Sequence, residues 1–78
     1  MARKPELHSV WRDRARDRFI ITRVEDDGPE PWSVTLVAYG DRFKVDSIRV
    51  ELDADTWAQR IKTRGLVQIG IEPGSYPV

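Results

Sequence analysis

Residues 32–40, WSVTLVAYG, put Trp32, Val34, Leu36 and Ala38 on one side of an extended chain and Ser33, Thr35, Val37 and Tyr39 on the other. That period of two belongs to a half-buried strand, and the β-branched and aromatic content disfavours a helix. RFIITRVED, residues 18–26, reads as a second strand in which Ile20, Thr22 and Val24 alternate with Phe19, Ile21 and Arg23. Between them DDGPEP, 26–31, holds a glycine and two prolines, so the pair forms an antiparallel hairpin with a medium loop.

A tight turn at Gly40-Asp41 leads into RFKVDSIRVEL, where the apolar parity switches: Phe43 and Val45 are odd, whereas Ile48, Val50 and Leu52 are even. One extra residue would return both groups to a single face, which predicts a β-bulge or sharp bend at Asp46-Ser47 within a long fourth strand. LDADTWAQRIKTRG then carries the marks of a helix over about 53–64. Asp53 suits the N-cap, Ala54, Trp57, Ala58 and Ile61 form one stripe, Lys62 and Arg64 sit in the last turn, and Gly65 follows. Leu52 and Trp57 occupy the two places of a hydrophobic staple, which turns Trp57 inward. LVQIGI, 66–71, reads as a final short strand with Val67, Ile69 and Ile71 in phase.

The opening segment admits two readings. A helix from about Pro5 to Arg18 would carry a narrow stripe of Val10, Trp11, Ala15 and Phe19, with Leu7 at its edge. Alternatively LHSVW is a short strand and RDRARDR a charged loop, a reading favoured because that run offers only one weakly apolar residue to hold a helix down. The strand count then predicts a mainly β domain, an SH3-like small barrel of about five antiparallel strands with one short helix before the last. Its expected limits are a flexible N-terminus over 1–6, one domain over 7–71, and an extended or disordered tail over 72–78.

The spacing of Trp11, Asp13, Arg18 and Phe19, the run IITRV, then SIRVEL and GLVQI, resembles small standalone domains of unknown function from actinobacteria and their phages. The resemblance spans about residues 8–70 and implies an SH3-like barrel without supplying an activity. This chain departs from the pattern by inserting DADTWAQRIK before the final strand.

Seventy-eight residues form one domain, and a domain so small buries only about 60% of its unfolded surface. No cysteine is present to supplement that core with a disulfide or thiolate metal site. Thirteen bases balance thirteen acids, but unevenly: residues 1–24 carry +4, 25–55 carry −6 and 56–78 carry +2. Overall neutrality argues against a dedicated nucleic-acid domain, which usually has a pI above about 9. The apolar run of a signal peptide and the 18 or more apolar residues of a membrane span are both missing, so the expected location is cytoplasmic, bacterial or in a phage host.

Reactive groups are few. His8 and Ser9 are adjacent, but lone neighbours do not make a nucleophile and base. Asp26, Asp27 and Glu30 share one loop and Asp53 and Asp55 a helix start, and neither set follows a calcium-loop spacing. The five glycines are scattered and form no phosphate loop. The chain is therefore read as non-enzymatic, with no catalytic, cofactor or metal site, no small-molecule substrate and no membrane partner.

WRDRARDRF, 11–19, is the remaining candidate. Its arginines suit phosphates and its rings suit stacking, although Asp13 and Asp17 bring the local charge down to +2. The favoured expectation is a protein-interaction module, of a phage accessory kind or self-associating, that docks through Trp11, Arg12, Arg14, Arg16, Arg18, Arg23 and Tyr39 and neighbouring strand edges. The alternative is a nucleic-acid-binding small barrel using the arginines of 11–19 on phosphates.

Overall fold

A computed structural model describes residues 3–26 and 31–77, so Asp27 and Glu30, and with them most of the expected hairpin loop, lie outside the described residues. Five strands, β1 (Ser9–Arg12), β2 (Arg18–Glu25), β3 (Ser33–Ala38), β4 (Val50–Asp53) and β5 (Val67–Ile71), form one antiparallel sheet. One helix, α1 (Ala54–Arg64), precedes the last strand. Strand order is β4-β3-β2-β1-β5, which makes β4 and β5 the two edges among the described residues; these pairings do not by themselves establish the closure expected of a barrel.

Four antiparallel neighbours in succession leave β4 and β5 pointing the same way at opposite edges, so the chain must cross the sheet between them. Five strands span about 19 Å at ~4.8 Å spacing, and an 11-residue helix is about 16 Å long. Helix α1 is that crossing. It leaves the Asp53 end of β4 and arrives at the Val67 end of β5, which are diagonal corners of one sheet face. Trp57, 1% exposed, packs there with Ile21, Val34, Leu36, Leu52 and Leu66.

Its ends follow the sequence signals. Asp53 is extended and its Oδ1 accepts from the Thr56 amide at 2.8 Å; Gly65 closes the helix at φ 64°. The cap bond holds the Asp53 carboxyl below its ordinary value of 3.8. A depressed folded value means that the cap's stabilisation is complete above the unfolded value and is lost as pH falls through the folded one. Urea unfolding of wild type and Asp53→Ala is thus expected to differ at neutral pH and to converge in strong acid; a gap independent of pH would contradict this.

Paired residues sort the two faces. Trp11, Phe19 and Ala38 share the helix side, while Val10, Ile20 and Val37 pack on the other with Tyr39 and Tyr76. The tail supplies that back cover: 72–77 has no helix or strand, yet Tyr76 lies edge-on to His8 at 5.1 Å, stacks on Phe43 at 5.4 Å and donates to the Glu72 carbonyl at 2.6 Å. At the other end Pro5 is buried, and the Glu6 carbonyl accepts from the Ser9 amide and hydroxyl.

Three expectations need correction. The opening is β1 plus a loop, which settles that choice against the helix, but the long bent fourth strand does not form: β4 starts at Val50, and 42–49 is a loop after a 3-10 turn at Tyr39–Asp41. The register breaks fall elsewhere, between Ile21 and Arg23 of β2 and between Val10 and Trp11 opposite β5. The first brings Val24 onto the same side as Ile21; the second inserts Ile69, so Val67 and Ile71, opposite Arg12 and Ser9, are out of phase. Among the described residues no helix is long and apolar enough to cross a membrane.

Candidate functional site

The WRDRARDRF segment is a hairpin connection folded upon itself. Buried Asp13 accepts the Asp17 amide on Oδ1 at 2.9 Å, its own amide donates to the Asp17 carbonyl at 3.0 Å, and Arg16 takes the left-handed conformation at φ 69°. Short polar residues make such turns because their side chains satisfy the backbone locally. Asp13 is thus a turn former.

Arg14 turns inward to the helix. Its amide donates to the Arg64 carbonyl at 3.0 Å, and its guanidinium to the carbonyls of Thr63 at 3.1 Å and Lys62 at 3.2 Å. These are orphan acceptors at the negative end of α1, so a cation there is doubly suited. Trp11 is half-buried against Trp57, edge to face at 5.0 Å, and its Nε1 donates to Ser9 Oγ at 2.8 Å. Arg23 pairs with Glu25 at 2.5 Å. Arg18 lies 4.6 Å from the centre of the Tyr39 ring, while Arg12 and Arg16 are exposed without an ion pair among the described residues. The seven residues expected to form one surface are therefore dispersed: Arg14 caps the helix, Trp11 packs on the core, Arg23 pairs along β2, Tyr39 with Arg18 over its ring lies behind the sheet, and Arg12 and Arg16 stay on the solvated hairpin.

Tyr39 belongs to a clamp behind the sheet. Its hydroxyl donates to the Glu72 carboxylate, and Arg42 stacks on its ring at 3.9 Å while sitting 3.5 Å from the same carboxylate. The Glu72 bond raises the Tyr39 phenol above its usual 10, with desolvation adding and Arg42 and Arg18 opposing. This ties the turn after β3 to the tail.

Nothing assembles around His8. Its ring meets Tyr76, and the neighbouring Ser9 hydroxyl is buried, donating to Glu6 and accepting from Trp11. Among the described residues no three acids, histidines or cysteines converge to hold a cation. Asp53 spends an oxygen on its cap.

The surface that the sequence reading missed is the 42–49 loop. Arg49 reaches back to the carbonyls of Val45 at 2.9 Å, Ser47 at 3.1 Å and Lys44 at 3.3 Å, and Ser47 Oγ donates to Lys44 at 3.0 Å. So tied, the loop holds Val45 at 79% and Ile48 at 84% exposure. Ile48 itself forms one wall of a recess of about 240 Å³, which Phe19, Leu36, Val37, Ala38, Asp41 and Val50 complete. The recess follows from the diagonal course of α1, which leaves the Val50 corner of its face uncovered. The one sequence trace of this loop is the switch of apolar parity between Val45 and Ile48, which marks a segment that cannot face one core.

Edge strand β5 is also apolar and exposed, but the register break at Ile69 disrupts its outward row of N–H and C=O groups, a common protection against strand addition. No family model, curated protein or solved structure matches the chain.

Proposed function

We propose that this chain is a non-enzymatic protein-binding module whose contact surface is the recess at the Val50 corner together with Val45 and Ile48 beside it. The observation that carries the reading is two aliphatic side chains, 79% and 84% exposed, on a loop held by side-chain hydrogen bonds. Single exposed apolar residues are ordinary; an ordered apolar crest next to an apolar hollow is the composition of an interface core. A loop already held in place loses little entropy on docking. The likeness to actinobacterial and phage domains gives a context, an accessory or host-interaction role.

Nucleic-acid contact has weaker support. Arg12, Arg16 and Arg18 share one hairpin, but Arg14 caps α1 and Arg23 pairs with Glu25. Three candidate phosphate contacts supply a shallow salt dependence and low affinity.

The test is a displayed library of random peptides panned on wild type and on Ile48→Lys, beside labelled single- and double-stranded DNA and RNA titrated at low salt and at about 0.15 M. Apolar peptides selected by wild type and lost with Ile48→Lys support the reading. Peptides indifferent to that change, or tight oligonucleotide binding that falls steeply with salt, would overturn it.

A further inference from the structure

The tip of the 42–49 loop reads Lys44-Val45-Asp46: an exposed aliphatic residue between a cation and an anion, both in solvent. A patch of single sign repels its own copy, whereas this one is its own complement. A twofold axis through Val45 sets Lys44 of each copy against Asp46 of the other, twice, and Val45 against Val45. Lys44 already lies 3.1 Å from Asp41, but that pair is solvent-exposed and readily exchanged.

Shape points the same way. Ile48 protrudes into solvent at the rim of the recess that it lines together with Phe19, Leu36, Val37, Ala38, Asp41 and Val50. A contact across a twofold needs both on one patch, because each copy must give what it receives. The apolar edge of β5, VQIGI, carries no charged residue of either sign.

Resting on the reading that this corner docks protein, we propose that its occupant is a second copy of this chain. In the twofold dimer each Ile48 enters the recess of the other copy, and Lys44 pairs with Asp46 across the axis. Eight loop residues and six more in the recess are about half of what a standard interface takes from each side. The dimer is accordingly weak and reversible, with a Kd on the order of 10–100 μM.

Sedimentation equilibrium from about 10 μM to about 1 mM tests this. Wild type is expected to rise from 9.0 kDa toward twice that mass, and Ile48→Lys to stay at 9.0 kDa throughout. Lys44→Asp should weaken association about tenfold, and adding Asp46→Lys should restore it. All these positions are exposed, so circular dichroism and urea midpoints should match wild type and exclude misfolding as the cause. A wild type that remains at 9.0 kDa, or a dimer unmoved by Ile48→Lys, would overturn the dimer. If monomeric wild type still selects Ile48-dependent peptides, only the second copy is refuted; if it selects none, the docking surface falls with it.

Discussion

Trp57→Ala is expected to cost about 3–5 kcal/mol, the usual range for deleting a buried aromatic side chain. The indole is 1% exposed and packs against residues of β2, β3 and β4 and against Leu66, so nothing near it can relax cheaply into the space. A chain of this length has only about 4–12 kcal/mol of stability in all. Much of the variant should therefore be unfolded without denaturant, seen as loss of the cooperative urea transition followed by circular dichroism. Trp57→Phe separates packing from polarity. Trp57 Nε1 is buried without a hydrogen-bond partner among the described residues, so phenylalanine removes an unsatisfied donor along with some volume. Its cost should be smaller, about 1–2 kcal/mol. A Trp57→Phe loss well above about 2 kcal/mol would mean that the indole nitrogen has a partner.

The second large effect belongs to Gly65. Its φ of 64° is a conformation that side-chain-bearing residues take at a cost, and an added Cβ would lie 2.7 Å from both Cγ and Nε of Arg14. Gly65→Ala must both strain the helix end and push Arg14 off the carbonyls of Lys62 and Thr63. We expect about 2 kcal/mol from Gly65→Ala and about 1 kcal/mol from Arg14→Ala, whose bonds are exposed. Because the first substitution already displaces the second residue, the double variant should cost less than the sum. Strict additivity in urea denaturation would show that Arg14 does not hold the end of α1.

Where side chains report on their nearest neighbours, the sequence was a sound guide. Alternation identified β2 and β3, and Asp53, the stripe through Trp57 and Gly65 located α1 to within a residue at each end. The strand order required pairings that alternation alone does not encode. In β2 one extra residue between Ile21 and Arg23 reverses the parity, so Val24 joins Ile21 although the string RFIITRV gives no sign of it. In 42–49 the alternation was misleading for a different reason: Arg49 satisfies the carbonyls of Lys44, Val45 and Ser47, the groups that a strand would have paired with a neighbour. Phe43, Val45 and Ile48 then resemble core residues while standing in solvent.

The candidate site was harder to read because its assignments depend on contacts distant in sequence. Arg14 meets the end of α1 across some fifty residues, and no periodicity of WRDRARDRF distinguishes a helix cap from a phosphate contact. Tyr76 likewise sits in a proline- and glycine-rich tail, yet its ring covers Val10, Ile20 and Val37. Composition identifies both residues as capable of contact without saying with what.

Inter-strand nuclear Overhauser contacts in the uniformly labelled protein bear most directly on the strand order and the tied apolar loop. Backbone contacts are expected for Leu36 with Val50, Val34 with Leu52 and Ser33 with Asp53, with none from Phe43 or Val45 to β3 and none between β4 and β5. Cross-strand contacts that pair Phe43 through Asp46 with β3, or that join β4 to β5, would close the sheet, bury the crest and contradict the account.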